Sequence, residues 1–141
     1  MTYSRRDLAF FIPLLATAAE TKEEVVRSRT VKFEEMPVER KGDNVVRDVL
    51  TGATHSGYHV DMHTTELAPG NAPHPPHRHV HEEMIMIERG TMEVTINGKA
   101  SRLGPGSVAY VASNDHHGWK NVGTDRARYF VLALGRDEKA G

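Results

Sequence analysis

The 141-residue chain has no cysteine. That excludes a disulfide framework, a thiolate metal site and a thiol nucleophile. Aromatic residues are few, at 6%, with a single tryptophan. Charge of one sign is also lacking: 18 basic and 19 acidic residues give a net charge of −1, and no Lys/Arg-rich run occurs. The sequence therefore offers no footprint for a nucleic acid. The length suits one domain with one core. Any bound metal must use imidazole, carboxylate or water as ligands.

What is abundant is histidine. Nine occur, all between His55 and His117. Twelve glycines and seven prolines suit many short strands joined by tight turns.

Residues 1–18 have the form of an export signal. Arg5 and Arg6 precede an almost uncharged run from Leu8 to Ala19, and Ala16-Thr17-Ala18 has the small-x-small form of a cleavage site. The run is too short to span a bilayer as a helix, so no stable membrane insertion is expected. Ser4-Arg5-Arg6-Asp7-Leu8 resembles a twin-arginine signal, which implies export to the periplasm; without export the protein stays cytoplasmic. The competing reading is a retained apolar arm. Residues 19–29 read as a linker or short helix, and residues 30–141 as the folded domain.

Beyond residue 29 the helical period disappears. Strand-like runs cover Thr30–Phe33, Val45–Thr51, Tyr58–Leu67, Met84–Glu88, Thr91–Ile96, Val108–Val111, Trp119–Val122 and Arg128–Leu134, separated by Gly, Pro and Asn turn signals. Asn97-Gly98, before a short Lys99–Leu103 run, marks a hairpin. Many short strands predict an antiparallel sandwich or barrel. By parity, Ile85 and Ile87 point inward with Glu83, while Met84 and Met86 cover the outer side, where a partner subunit could sit. Tyr110, Trp119, Phe130 and Leu132 are candidate pocket residues, although aromatic strand residues are more often core.

The segment His77-Arg78-His79-Val80-His81-Glu82-Glu83 carries the chemistry. Read as a strand, His77 and His79 face one way, roughly 7 Å apart at the backbone, with Arg78 on the other side. Two such imidazoles and a carboxylate can hold a six-coordinate ion with open positions. Spacing alone leaves His81 as an alternative to His79 and Glu82 as an alternative to Glu83, and names no fourth ligand.

These residues resemble the cupin superfamily. HxHxxxE followed by six residues and a glycine matches the first cupin motif at His77, His79, Glu83 and Gly90. Gly70 fits as well, with six residues before His77 where five are common. The end of the second motif matches at His117 and Asn121, while Ala112 stands where proline is usual and Asn114 where glycine is usual. Asn is the commonest substitute for glycine in left-handed turns.

The resemblance implies an all-β fold, an antiparallel double-sheet jelly-roll barrel. It implies one divalent metal ion (Fe, Mn, Ni, Co, Cu or Zn) held by His77, His79, Glu83 and His117, with His116 as a neighbour, and a homodimer. It implies a small-molecule ligand or substrate, with dioxygenase-like oxidation of an oxygen-bearing organic molecule as the leading activity and metal-assisted isomerisation as another. A non-catalytic sugar- or carboxylate-binding module is the alternative from a different class, and a metal-free barrel is a third. His55, His59, His63 and His74 are read as surface or pocket residues, with His63 a candidate for the barrel mouth.

Overall fold

The computed structural model describes residues 24–135, so the N-terminal export-like segment lies outside the described residues. Among the described residues, nine strands follow a single 3-10 turn at Phe33–Glu35. They are β1 (Val38–Lys41), β2 (Asn44–Ala53), β3 (His59–Leu67), β4 (Glu82–Arg89), β5 (Met92–Ile96), β6 (Lys99–Leu103), β7 (Val108–Val111), β8 (His117–Asn121) and β9 (Ala127–Gly135). One sheet has the order β1-β2-β3-β9-β4-β7 and the other β6-β5-β8, with every pair antiparallel. This is a double-sheet jelly-roll barrel.

The core lies between the sheets. Leu67, Ile85, Ile87, Tyr129 and Val131 come from the larger sheet, and Met92, Val94 and Trp119 from the smaller. Burying a side chain such as Ile85 contributes about 1.5–3 kcal/mol. The alternation along β4 follows the parity argument: Ile85 and Ile87 are buried, and Met86 is exposed on the outer face. Tyr110 and Val108, on the edge strand β7, are exposed beside it. Tyr110 is thus no pocket residue. Phe130 and Leu132 alternate with the buried Tyr129, Val131 and Ala133, so they too lie on the outer face.

Two turns set the hairpin geometry. Asn97 and Gly98 both have positive φ, 48° and 81°, as a two-residue hairpin turn requires. Gly90 has φ 86°, and a Cβ there would sit 2.6 Å from the Ala127 Cα, so only glycine lets the β4–β5 turn press on β9.

The expected strand at Thr30–Phe33 is not formed. Phe33 instead begins the 3-10 turn, with its ring under the Arg47 and Arg128 guanidinium groups at 4.6 and 4.5 Å. Those arginines belong to a knot on the outer face centred on Glu66. Its carboxylate meets Arg47 at 3.1 Å, Arg89 at 2.9 Å, Arg128 at 3.2 Å and Arg126 at 3.8 Å. Burial alone pushes the Glu66 carboxyl up, but Arg128, Arg89 and Arg47 outweigh it and hold the pKa below the usual value. The knot ties β2, β3, β4 and β9 together. Strand β1 escaped the sequence reading because all four of its residues are exposed and show no apolar alternation.

Candidate metal centre

His77, His79 and His117 converge at one end of the barrel. One ring nitrogen from each lies within 4.8 Å of the others. His117 opens β8 and is almost fully buried. His77 reaches it by a backbone bridge in which each N–H donates to the other's carbonyl at 2.9 Å. Gly118 makes that approach possible, since a Cβ there would stand 3.0–3.1 Å from three atoms of Pro76.

Contrary to the expectation from spacing, His77 and His79 do not share a strand. His77 makes only the isolated bridge, and β4 begins at Glu82. Pro73, Pro75 and Pro76 have no N–H to donate, so this stretch cannot extend a sheet ladder. Convergence comes from a loop folded over β8, not from strand parity.

The hydrogen bonds on the far side of each ring fix which nitrogen is available. Nδ1 of His79 donates to the His81 carbonyl at 2.8 Å, Nδ1 of His117 to the Asp115 carbonyl at 2.8 Å, and Nδ1 of His77 to the Pro75 carbonyl at 3.3 Å. A carbonyl only accepts, so each Nδ1 carries the proton and each neutral ring presents a bare Nε2. Glu83 Oε2 lies 3.2 Å from Nε2 of His79 and 3.1 Å from Nε2 of His117. Two lone-pair atoms at that distance repel unless a cation lies between them or a proton is held by a ring or by the carboxyl. The donor set therefore fits a divalent ion, with the orienting carbonyls that ligating histidines generally have.

Burial pushes the His77 pKa below its ordinary value, and the neighbouring His74, His117 and His79 add to this, against the opposing bond to Pro75. That keeps the ring in the ligating form.

The residues left open by spacing separate clearly. Glu83 is buried and points to the histidines, whereas Glu82 is exposed and bonds with Tyr110 on the outer face. His81 stacks on His79 with ring centroids 3.6 Å apart, and supplies its carbonyl to that ring. His116 lies at the exposed turn, where its N–H meets Asn97 Oδ1. Asn121, at the end of the second motif, is a structural residue. Its amide donates to the carbonyls of Leu67 and Asp125 and accepts from the Gly123 N–H.

A cavity of about 270 Å³ opens beside the centre, lined among others by Asp48, His63, Thr65, Glu83, Trp119 and Tyr129. Trp119 is the one expected pocket aromatic that reaches it. Burial pushes the Tyr129 phenol far above its ordinary pKa, so it stays a proton donor. The sequence reading treated His59 and His63 singly. On β3 the inner-face residues are His59, Asp61, His63 and Thr65, a period-two polar stripe that was visible in the sequence.

A double-sheet β-barrel with a histidine–carboxylate cluster at its mouth defines the class. Residues 63–133, half of the chain, match the cupin domain model Cupin_2, and the chain belongs to that family. Among solved structures, an RmlC-like cupin from Shewanella frigidimarina superposes with a TM-score of 0.65 at 16% identity, covering 83% of this chain and 96% of that one. A predicted oxalate decarboxylase from Thermotoga maritima gives a TM-score of 0.63 at 20% identity, covering 76% and 99%. These likenesses establish the fold. The chain is also 33% identical over 48 residues to the HTH-type transcriptional activator RhaS of Mannheimia succiniciproducens, across 34% of this chain and 18% of that protein. It thus spans less than a fifth of that curated relative. Among the described residues, no helix is long and apolar enough to cross a membrane.

Proposed function

We propose that this cupin is a metal-dependent enzyme that holds one divalent ion through His77, His79, Glu83 and His117. Its substrate is a small oxygen-bearing organic molecule in the adjoining cavity. The observation that carries this is the convergence of one ring nitrogen from each of His77, His79 and His117, with Nε2 of His79 and of His117 within 3.2 Å of the buried Glu83 and each ring fixed from behind by a carbonyl. A bound ion would supply Lewis-acid or redox chemistry at its open positions. Dioxygenase-like oxidation is the first activity to assay. The exposed outer face of β4 and β7 supports a homodimer, and the twin-arginine form of the N-terminus supports export.

Elemental analysis of the purified full chain tests the reading. About one equivalent of Fe, Mn, Ni, Co or Cu per chain is expected, since one such site binds one ion. Oxygen uptake with phenolic, flavonol and diketone compounds then follows. Zinc would move the activity away from oxidation, because zinc has no redox chemistry. A ligand recovered unchanged would make the site a binding module. No metal after reloading would overturn the assignment.

A further inference from the structure

The inner face of β3 carries a second set of polar groups, facing the same cavity as Glu83. His63 Nδ1 lies 3.0 Å from Asp61 Oδ1, and the His63 ring lines the cavity. Asp61 is held below the ordinary carboxyl pKa, first by its hydrogen bond from His63, against a smaller opposing effect of burial. It is therefore a carboxylate that only accepts, and Nδ1 carries the proton. Behind it the Thr51 hydroxyl bonds to Asp61 and also meets His59 Nε2 at 3.4 Å. This gives a chain His63–Asp61–Thr51–His59 leading from the cavity to the rim of β2 and β3. The other titratable or charged groups that line the cavity with His63, besides Tyr129, are Glu83, His74, Asp48 (its cross-strand partner), and Glu39 and Lys41 on β1, which pair with each other at 3.2 Å.

A carboxylate that orients an imidazole, beside a cavity next to a candidate electrophilic centre, is the arrangement of a general base. We infer that His63, oriented by Asp61, is the catalytic base that removes a proton from a ligand carbon next to a carbonyl group. The inference rests on the proposed metal site for holding that carbonyl compound. In the step the C–H bond breaks, the proton goes to His63 Nε2, and the bonding electron pair delocalises onto the carbonyl oxygen as an enolate. Return of a proton to carbon completes an exchange or a tautomerisation, with no oxidant or reductant. The buried, protonated Tyr129 is placed to donate a hydrogen bond within the same cavity.

Two measurements test this. The first uses the metal-free full chain with 15N-labelled histidine at pH 8. The His63 ring proton is expected on Nδ1, and Asp61→Ala is expected to move that proton to Nε2. A proton on Nε2 in the parent protein, or a tautomer unmoved by Asp61→Ala, would overturn the pairing. The second follows loss of the pyruvate methyl signal in D2O with metal-loaded protein. The parent is expected to catalyse exchange, and His63→Gln to slow it by about 10²–10⁴-fold, with metal content per chain unchanged. Exchange in His63→Gln equal to the parent, or none above that of the free ion, would overturn the base. If the chain holds no ion, the proposed function fails while the ring tautomer still decides the pair.

Discussion

The seating of His77 rests on one missing methyl group. In Gly118→Ala the new Cβ would stand 3.0, 3.1 and 3.1 Å from the Cγ, Cα and Cβ of Pro76. Ordinary contacts are several tenths of an ångström longer, so something must move. Pro76 has its φ locked by its ring and cannot rotate away. His77, the next residue, is clamped to His117 by two backbone hydrogen bonds of 2.9 Å. The strain therefore passes to the bridge that brings two candidate ligands together. Overpacking of this size costs about 1–3 kcal/mol. Falling on ligand geometry, it should weaken metal binding by about 10- to 100-fold, at 1.4 kcal/mol per tenfold. The assay is a competitive chelator titration of parent and variant, alongside urea unfolding of the metal-free forms. Gly104→Ala is the control, since a Cβ there meets nothing within 4 Å. Parent-like affinity in Gly118→Ala, with a parent-like midpoint, would refute the idea that this contact seats His77.

Three further outcomes follow from the packing. Asn121→Leu removes three hydrogen bonds at a fully buried position and leaves two carbonyls and one N–H without their partner. At about 1 kcal/mol each, it should lower urea stability by about 3 kcal/mol; a loss below about 1 kcal/mol would contradict the structural role. Glu66 has a folded pKa depressed below its unfolded value of 4.5, so its contribution is fully present above that value and is lost as pH falls through the folded pKa. The unfolding free energy should thus fall below about pH 4.5, and less steeply in Glu66→Gln, which should also be less stable at pH 7 because four arginines lose their shared partner. Equal acid limbs would show the knot to be inert. On the outer face Met86, Val108 and Tyr110 are 41%, 58% and 52% exposed and adjacent. The proposed homodimer should dissociate in Met86→Lys, read by sedimentation equilibrium, and a monomeric parent at about 100 µM, well above the Kd of a stable dimer, would remove this surface from consideration.

The parts of the fold legible in the sequence are those governed by local rules. Alternation placed Ile85 and Ile87 inward and Met86 outward, as found. Asn97-Gly98 signalled a turn whose φ values are positive. Asn114, standing where the family usually has glycine, adopts φ 64°, the left-handed conformation that justified the comparison. What stayed hidden depends on contacts distant in sequence. Phe33 leaves the sheet because arginines from β2 and β9 meet its ring. Strand β1 exists by pairing with β2, not by burying anything of its own.

The candidate site divides along the same line. Its residue types and spacing were readable, but the parity argument for His77 and His79 assumed a strand where His77 makes only an isolated bridge. His77 meets His117, 40 residues further along the chain and on the second sheet, because Gly118 admits Pro76. The choice of Glu83 over Glu82 needed only the inward parity of β4 once the strand's start was known. The Asp61–His63 pair was equally accessible to a period-two reading of β3, yet it gains meaning only when folding sets that strand against the cavity bordered by Glu83. A candidate metal centre can thus be picked out from ligand types along the chain. The proton chemistry beside it depends on which faces of the barrel the strands turn toward the same space.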